Sequence, residues 1–479
     1  MDDLRPLVLD VDGTFLRTDL LYECFWAGMG QAPVATLKAT FANFTRPARL
    51  KAELARICEL RTDLLPVNSA VAEVAMEALE QGREVTLASA SNAALVADLA
   101  QDYGLGSRVF ASSSDFNLKG SAKAQALVDA YGAGGFDYAG NAPVDRAIWA
   151  QAHSALVVGD KRSARALERE GKPVQTIPGG WKLRDLVHAM RPHQWVKNVL
   201  LLMPMVAAHD FSLSALLLVL IGIAAFSAAA SAIYIVNDLL DLEADRLHPT
   251  KRLRPFASGA VPISVGMATA LGLAVMALAV GLWLGVAFFG VVLLYMILSL
   301  AYSLRLKRLR WVDIATLAGL YTLRVVAGAA AIQGEVSTYL LVFIYPVFLT
   351  LGCVKRMTEL SRTDQDAPLP GRGYGRADMG DLLNVAYLGM FGALMNFFLY
   401  SFSQQAVALY PIRWLLWLAL VPIALWLRRM ISIGYSGQMD YDPVVFALKD
   451  KRGVALVLSA LALMFAAAGL WQHWYGGWR

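Results

Sequence analysis

The stretch Asn237-Asp-Leu-Leu-Asp-Leu-Glu-Ala-Asp245 ends an apolar run that extends from residue 215 to residue 236. Aspartates at the end of a membrane-spanning segment are costly in free energy, so their clustering indicates a function. At about 100° per residue, a helix presents four polar side chains here within a quarter-turn of one face: Asn237, Asp238, Asp241 and Asp245. These oxygen ligands suit Mg²⁺, which keeps part of its coordination shell for water and phosphate. A solvated acidic helix end is the alternative.

A basic segment follows directly, with Lys251, Arg252 and Arg254. Cationic side chains bind phosphate oxygens through charge-assisted hydrogen bonds. An acidic segment followed by a basic one therefore favours a site for a phosphorylated substrate over a solvated helix end.

The composition divides the chain into two parts. Of the 479 residues, 57% are hydrophobic, which is high for a soluble protein, yet residues 1–190 have a mixed composition. From about residue 199 onward, apolar runs have the length of membrane-spanning helices. The net charge is +5, but the basic residues concentrate in loops between these runs and therefore indicate topology and phosphate binding rather than nucleic acid.

The apolar runs predict an all-α membrane domain of about nine spans. Their approximate bounds are 195–209, 213–238, 262–282, 285–304, 311–332, 338–356, 382–403, 411–430 and 453–474. Lysine and arginine are concentrated in alternate loops, which predicts that these loops and the N-terminal part lie on the cytoplasmic side of an inner or plasma membrane. An odd number of spans then places the C-terminus on the outer side.

The N-terminal part begins with a short apolar strand, Leu7-Val-Leu-Asp10, followed by Val-Asp12-Gly-Thr14. Alternation places Asp10 and Asp12 on the same side of the strand at its carboxyl end, where parallel sheets bind ligands. One carboxylate can attack phosphorus while the other serves as acid and base, with Mg²⁺ screening the charge. Further apolar strands over 84–91, 136–140 and 155–159 alternate with helical segments, which predicts an α/β doubly wound parallel sheet.

This set of residues resembles the haloacid dehalogenase (HAD) superfamily of phosphatases, and the match gives a domain at residues 1–178. The resemblance implies that Asp10 is the nucleophile, that Asp12 is the acid/base, and that Ser89 and Lys123 bind phosphate. Asn141 and Asp145 fall where the family places acidic residues, so Asn141 removes one negative charge from the expected Mg²⁺ site. Residues 18–82 correspond to a helical cap. A domain of this shape that serves only for docking is the alternative.

An amphipathic linker, residues 179–196, precedes the membrane domain at residues 197–479. Asn-Asp-x-x-Asp-x-x-x-Asp at the end of the second span resembles the UbiA superfamily of intramembrane prenyltransferases, as does Tyr302-x-x-x-x-Lys307-Arg308. Most members carry a second aspartate-rich motif for the Mg²⁺ of a prenyl diphosphate. Here Asp313 is the one acidic residue in that region, which weakens the expectation of a prenyl diphosphate donor.

Other motifs look closer to one branch, the decaprenyl-phosphate phosphoribosyltransferases. They are Arg191-Pro-x-Gln-Trp-x-Lys197-Asn198, His248-Pro-Thr-Lys-Arg-x-Arg254-Pro255, Lys355-Arg356-x-x-Glu359, Asp442-Pro443 and Asp450-Lys451. We expect substrate to be bound by Lys197, Lys251, Arg252, Arg254, Tyr302, Lys307, Arg324, Lys355 and Arg356. The spacing alone slightly favours Lys197 as an anchor at the membrane interface, and Lys307 could be an ordinary residue of a cytoplasmic basic loop. The roles of Asp145, Asp313, Asp442, Asp450 and Lys451 stay open. For Arg324, an internal charge pair with Asp313, which is three turns away, is as consistent with the sequence as contact with a ligand.

The sequence therefore predicts a bifunctional enzyme that uses Mg²⁺ in both domains. The membrane domain would transfer 5-phosphoribose from phosphoribosyl diphosphate to a polyprenyl phosphate, with Asp238 and Asp241 essential. The HAD domain would then remove the 5-phosphate. Two alternatives stay open: prenyl transfer to an aromatic acceptor, and a transporter or scaffold that carries a non-catalytic HAD domain.

Overall fold

The computed structural model describes residues 4–362, 369, 372–439 and 442–470, and the chain forms two compact units. The first unit contains Met1–Met190 together with Tyr234–Ala270, and the second contains Arg191–Ile233 together with Leu271–Arg479. The acidic segment and the loop behind it thus cluster with the N-terminal residues. The sequence-based division, in contrast, placed everything from residue 197 onward in the membrane domain.

A six-stranded sheet forms the centre of the first unit. The strands are β1 (Leu7–Asp10), β2 (Val85–Asn92), β3 (Val109–Ser112), β4 (Asp137–Gly140), β5 (Ala155–Val158) and β6 (Val174–Ile177). Their order is β3-β2-β1-β4-β5-β6, and every neighbouring pair is parallel, which confirms the predicted parallel sheet. The sequence analysis missed β3 and β6. Both are partly exposed edge strands that lack a continuous buried apolar run.

Within the described residues 4–190, nine helices accompany this sheet, and several of them contribute residues to the hydrophobic cores on its two faces. They are α1 (Leu20–Gln31), α2 (Pro33–Asn43), α3 (Pro47–Ile57), α4 (Ser69–Glu80), α5 (Ala93–Asp102), α6 (Ser121–Tyr131), α7 (Arg146–Gln151), α8 (Lys161–Arg169) and α9 (Leu183–Ala189). Alternation along β1 places Leu7 and Leu9 in the hydrophobic core on one face and Val8 in the core on the other. Helices α1, α2, α3 and α4 lie within the 18–82 insert that the sequence analysis assigned to a helical cap.

Twelve further helices follow in the described part of the chain. They are α10 (Met203–Ala207), α11 (Leu213–Leu240), α12 (Leu242–Leu247), α13 (Ile263–Leu284), α14 (Val286–Leu304), α15 (Val312–Ala331), α16 (Thr338–Ser361), α17 (Met379–Tyr400), α18 (Gln404–Leu409), α19 (Trp414–Tyr435), α20 (Pro443–Lys449) and α21 (Lys451–Ala467). Within the described residues, seven of these helices are long and apolar enough to cross a membrane: α11, α13, α14, α15, α16, α17 and α19. The protein is an integral membrane protein.

The predicted count of nine spans was therefore wrong at both ends of the membrane domain. The first expected span, 195–209, is a 3-10 helix, Pro192–Leu202, followed by the five residues of α10. Pro192 and Pro204 each lie in a first turn, where proline is tolerated, but neither can donate the hydrogen bond of a helix interior. The last expected span, 453–474, corresponds to α21, which has 17 residues, fewer than the roughly 20 typical of a membrane-spanning helix. Residues 471–474 of the expected span lie outside the described residues.

Candidate functional site

The first site lies at the carboxyl edge of the parallel sheet, after β1. Asp10 ends this central strand, and the chain then turns through Gly13, which has a φ of +78°. This backbone angle favours glycine, and a Cβ atom on Gly13 would lie 2.2 Å from Nδ2 of Asn141, so a larger residue would displace the Asn141 amide. The Thr14 hydroxyl donates to Oδ2 of Asp10 at 3.3 Å, which begins to fix the carboxylate.

Lys123 is the main partner of Asp10. Its Nζ lies 2.6 Å from Oδ1 of Asp10 and also donates to the carbonyl oxygen of Ala88 and the Tyr138 hydroxyl. Burial nevertheless raises the pKa of Asp10 to about 6, because Lys123 compensates only part of the desolvation, while Asp145 and Asp12 add negative charge. The carboxylates at this edge of the sheet therefore carry more negative charge than Lys123 neutralises.

Asp12 is held by three donors. The hydroxyls of Ser89 and Ser91 donate to its Oδ2 at 3.0 and 2.8 Å, and the backbone N–H of Leu20 donates to its Oδ1 at 2.8 Å. The sequence analysis assigned Ser89 to phosphate binding and gave Ser91, at the end of the same strand, no role. The alternation of Ser89 and Ser91 along β2 is the signal that both face this edge.

Asp145 shapes the loop that carries Asn141. Its Oδ2 accepts from the backbone N–H groups of Asn141 and Ala142 at 3.1 and 3.0 Å, and the Tyr138 hydroxyl donates to its Oδ1. The structure thus brings Asp10, Asp12 and Asn141 to one sheet edge. Two carboxylates, an amide and an excess of negative charge fit a bound Mg²⁺.

The second site of the first unit is the acidic segment at the end of α11. The helix stops at Leu240, but the backbone N–H groups of Asp241 and Asp245 still donate four residues back, at 3.0 and 2.8 Å. Asp238 and Asp245 are each 2% exposed, and both accept from Nη1 of Arg254, at 3.2 and 2.7 Å. Two of the predicted ligands therefore converge, and a guanidinium lies against both.

Asn237 provides an independent test of whether this segment suits a cation. Its Oδ1 is buried and has no hydrogen-bond partner among the described residues. Burial raises the pKa of Asp245, although Arg254 opposes the shift. Within the described ranges, no three His, Cys, Asp or Glu side chains are arranged to hold a metal ion by themselves. The donors therefore fit a Mg²⁺ whose remaining ligands come from an amide, water and substrate phosphate.

The basic segment forms a tight turn behind these carboxylates. Nδ1 of His248 accepts from the backbone N–H groups of Thr250 and Lys251 at 3.2 and 3.3 Å, which shapes the 3-10 helix Lys251–Leu253. The side chains of Lys251 and Arg252 are exposed. Two cations are thus presented to solvent close along the chain to Arg254.

A buried ion pair connects α1 with α12, which follows the acidic segment. Nη1 and Nη2 of Arg246 lie 3.1 and 2.6 Å from the Glu23 carboxylate, which also accepts from the Thr18 hydroxyl at 2.6 Å. Nε of Arg246 donates to the carbonyl oxygen of Ala257 at 3.2 Å. Sequence reasoning missed this pair, because 223 residues separate its members.

In the second unit, Asp313 is fully buried between two arginines. Arg356 donates to it twice, from Nε at 2.6 Å and from Nη2 at 3.0 Å, and Nη1 of Arg372 lies 3.0 Å away. The Tyr302 hydroxyl donates to Asp313 at 2.8 Å and accepts from both arginines. Arg356 also pairs with Glu359. The structure therefore places Tyr302 and Arg356, two predicted substrate contacts, in a closed internal network.

In a second polar cluster of this unit, the described residues include two lysines around one carboxylate. Nζ of Lys197 lies 3.0 Å and Nζ of Lys355 lies 3.5 Å from Oδ2 of Asp442. The Tyr321 hydroxyl donates to the same carboxylate at 3.1 Å. The sequence motifs that supplied these residues are far apart in the chain, and the fold brings two lysines to one carboxylate.

Arg324 extends this lysine cluster, because its guanidinium lies 5.2 Å from the ring centroid of Tyr321. Its Nε donates to Oδ1 of Asn198 at 3.0 Å, and its Nη2 donates to the Tyr295 hydroxyl at 3.2 Å. The charge pair with Asp313 that the sequence left open is not formed, since the partners of Asp313 are Arg356 and Arg372.

The remaining candidates lie outside these networks. Lys307 is partly buried in the 3-10 helix Leu306–Arg308, and Lys451 is exposed at the start of α21. Asp450 accepts twice from Arg429, at 2.7 and 2.9 Å, and caps α21 by accepting from the backbone N–H of Gly453. This geometry gives Asp450 a structural role at a helix start.

Comparison with known proteins places the chain among membrane transferases. Residues 198–433 match the model of the UbiA prenyltransferase family. A Sinorhizobium fredii protein, "Uncharacterized protein y4nM", is 32% identical over 476 residues, covering 96% of this chain and 91% of that protein. The decaprenyl-phosphate phosphoribosyltransferase of Mycobacterium tuberculosis is 31% identical over 301 residues, covering 61% of this chain and 97% of the enzyme. A UbiA homolog from Archaeoglobus fulgidus, solved with GPP and Mg²⁺, aligns with a TM-score of 0.45 at 15% identity over 58% of this chain and 99% of that one.

Proposed function

Because the chain belongs to the UbiA prenyltransferase family, we propose that its membrane domain transfers 5-phosphoribose from phosphoribosyl diphosphate to a polyprenyl phosphate. The name of the mycobacterial relative supports this choice of transferred group and acceptor. The N-terminal domain then acts as a phosphatase on the lipid-linked product. Such a protein makes polyprenyl-phosphoryl ribose in two steps on one chain.

The internal network around Asp313 is the observation that carries the choice of donor. A prenyl diphosphate donor requires a second acidic group for its metal, and Asp313 is the one acidic residue between Tyr302 and Arg324. Its two oxygens are already bound by Arg356 and Arg372. If Asp313 left the arginines to bind a metal ion, their buried charge would be uncompensated, at a cost of about 3–5 kcal/mol. The acidic segment at the end of α11 therefore remains to bind the metal ion of one diphosphate.

In this proposal the sugar diphosphate binds at the acidic segment. Asn237, Asp238, Asp241 and Asp245 would hold Mg²⁺, which neutralises the charge that develops on the leaving diphosphate. Lys251 and Arg252 are exposed and can meet phosphate oxygens from solvent. Arg254 holds Asp238 and Asp245 together until the donor arrives.

The lipid phosphate binds at the cluster of Lys197, Lys355 and Arg324. Lys197 and Lys355 share one carboxylate, Asp442, and Arg324 lies close by over the Tyr321 ring. Among the described residues, these cations outnumber the carboxylate, which favours the binding of a phosphate dianion. An oxygen of that phosphate attacks the anomeric carbon, forming a new C–O bond as the bond to diphosphate breaks. The acceptor is already ionised at neutral pH and needs no general base, so the protein contributes mainly positioning and charge.

The phosphatase step uses the sheet-edge site. Asp10 attacks the 5-phosphorus and the ribose oxygen leaves with a proton from Asp12, after which water hydrolyses the aspartyl phosphate. Lys123 stabilises the charge at Asp10, and Ser89 and Ser91 keep Asp12 oriented. Mg²⁺ held by Asp10, Asp12 and Asn141 would screen the incoming phosphate.

The distribution of basic loops supports a cytoplasmic location for the N-terminal domain and both sites. Both soluble participants, phosphoribosyl diphosphate and Mg²⁺, are available in that compartment. Accessibility of introduced surface cysteines from each side of sealed vesicles tests this orientation.

Parallel assays of the purified full-length protein test the proposal. Phosphoribosyl diphosphate and a prenyl diphosphate are supplied separately, each with polyprenyl phosphate and an aromatic acceptor. We expect a Mg²⁺-dependent phosphoribosyl lipid from the first donor, followed by release of inorganic phosphate. Prenylation of the aromatic acceptor, with no phosphoribosyl lipid, would instead support the ordinary UbiA reaction.

A further inference from the structure

Helix α2 of the cap exposes a continuous apolar stripe. Its members are Val34 (78% exposed), Leu37 (40%), Phe41 (78%) and Phe44 (78%), the last of which directly follows the helix. At about 100° per residue they project within an arc of about 80°. A stripe of this kind on a soluble domain marks a surface that binds an apolar partner.

The opposite side of α2 is packed against the protein. Thr36 is fully buried, and a Cβ atom on Gly28 of α1 would lie 2.6 Å from its hydroxyl oxygen. This close approach of α1 and α2 fixes the orientation of α2. The apolar stripe therefore points away from α1 and does not complete the core of its own domain.

The position of α2 identifies the partner. Gly30, in the last turn of α1, adjoins the end of the membrane helix α11, because a Cβ atom there would lie 3.8 Å from the carbonyl oxygen of Leu240. Helix α2 begins at Pro33, three residues later. The stripe therefore starts next to the point where a membrane-spanning helix ends.

The charge of the segment fits the same partner. Between Glu23 and Glu53 the sequence contains no acidic residue but has four basic ones: Lys38, Arg46, Arg49 and Lys51. Lys38, Arg46 and Arg49 are exposed. Phenylalanine and leucine on one face with lysine and arginine beside them are typical of helices that lie in the interface of a bilayer with anionic lipids.

We propose that α2 is a membrane-docking helix, whose stripe enters the headgroup and acyl boundary next to the end of α11 while the basic side chains meet anionic headgroups. The docked helix would hold the cap on the bilayer surface. If the N-terminal domain is the phosphatase of the proposed function, it then receives its substrate directly from the membrane.

Lipid quenching of a fluorescent label tests the docking without any assay of activity. The label is attached to Phe41→Cys or, as a matched control, to Met76→Cys on α4, where Met76 is 61% exposed. The native Cys24, Cys58 and Cys353 are buried, so the introduced thiol is the accessible one within the described residues. The full-length protein is reconstituted in phosphatidylcholine vesicles with and without phosphatidylglycerol, and spin-labelled lipids serve as the quencher.

We expect strong quenching at position 41, enhanced by phosphatidylglycerol, and little at position 76. Equal quenching at the two positions would overturn the proposal. So would energy transfer between labels at position 41 of two molecules without lipid quenching, because it would show that a second copy covers the stripe.

A functional arm uses Phe41→Glu with Phe44→Glu, and Met76→Glu as the control. The double variant should lose at least about tenfold in cleavage of a lipid-linked phosphate in vesicles while retaining cleavage of a soluble phosphate ester. Equal loss on both esters would indicate damage to the domain and contradict a docking role. If the wild-type protein cleaves neither ester, the phosphatase proposal fails, but the quenching result still decides the docking.

Discussion

The sheet-edge site, which contains Asp10 and Asp12, and the helix-end site, which contains Asp238 and Asp245, both bring carboxylates close together. They do so by different means. At the sheet edge, Asp10 and Asp12 are fixed by serine hydroxyls, a backbone N–H and a buried lysine. At the end of α11, Asp238 and Asp245 share one guanidinium, and the amide oxygen of Asn237 has no partner within the described residues. The first site is preorganised by its fold, whereas the second depends on a cation from the loop behind it.

Loss of Asp10, the proposed nucleophile, gives the largest expected separation of the two sites. Asp10→Asn keeps the size of the side chain but removes the attacking carboxylate, so phosphate release should fall by about 10⁴-fold or more. Phosphoribosyl transfer should be unchanged, and the phosphorylated lipid should accumulate. Mass spectrometry of the lipid products measures both. A parallel loss of transfer would mean that the two sites do not work independently.

The reciprocal change is made at the helix end. Asp238→Asn should lower phosphoribosyl transfer by about 10³-fold, because it removes a buried charge that, in the proposed function, holds Mg²⁺ and the donor. Phosphate release from added phosphoribosyl lipid should be retained. Glu80→Gln, at an exposed carboxylate of α4, is the control. Wild-type transfer by the Asp238 variant would refute the helix-end site.

Substitution of Arg254 tests how its guanidinium and Mg²⁺ compete to neutralise the carboxylates of Asp238 and Asp245. Arg254→Gln removes the cation that lies between Asp238 and Asp245, so Mg²⁺ no longer competes with a guanidinium. We expect half-maximal transfer at about tenfold less Mg²⁺, with a lower maximal rate because the carboxylates are less well placed. Titration of Mg²⁺ at saturating donor measures both quantities. An increased requirement for Mg²⁺ would show that Arg254 contributes to the metal site itself.

Asn141 gives the smallest expected effect, at the preorganised site. Asn141→Asp restores the negative charge that the HAD resemblance leads one to expect, so phosphate release should reach half its maximum at several-fold less Mg²⁺. The substitution Asp129→Asn, at an exposed carboxylate of α6 in the same domain, is the control. An unchanged Mg²⁺ requirement would mean that position 141 does not face the ion.

Local patterns made the sheet-edge site predictable. The alternation of Asp10 and Asp12 after an apolar strand places both at the carboxyl edge by geometry alone. The parallel sheet was predicted for the same reason, whereas the exposed edge strands β3 and β6 lacked an apolar pattern. The aspartates at the end of α11 were equally predictable, because helical spacing places them on one face.

Long-range pairings were not predictable from one sequence. Arg356 was predicted to contact substrate, yet it pairs with Asp313, 43 residues away. Lys197 and Asp442 came from separate motifs, and nothing in their spacing indicates that they meet. The count of nine spans failed because apolar composition does not reveal that proline divides the first expected span into short helices.

The ion pair of Glu23 and Arg246 bears on how the two parts of the chain can be separated. Removing the N-terminal domain would leave Arg246, whose side chain is 7% exposed here, without its carboxylate. The loss of a buried partner typically costs about 3–5 kcal/mol, a large share of the stability of a domain. A truncated membrane protein, whether it arises by gene fission or is made for crystallisation, should therefore need a compensating change at Arg246. Full-length protein is accordingly the appropriate starting material for reconstitution.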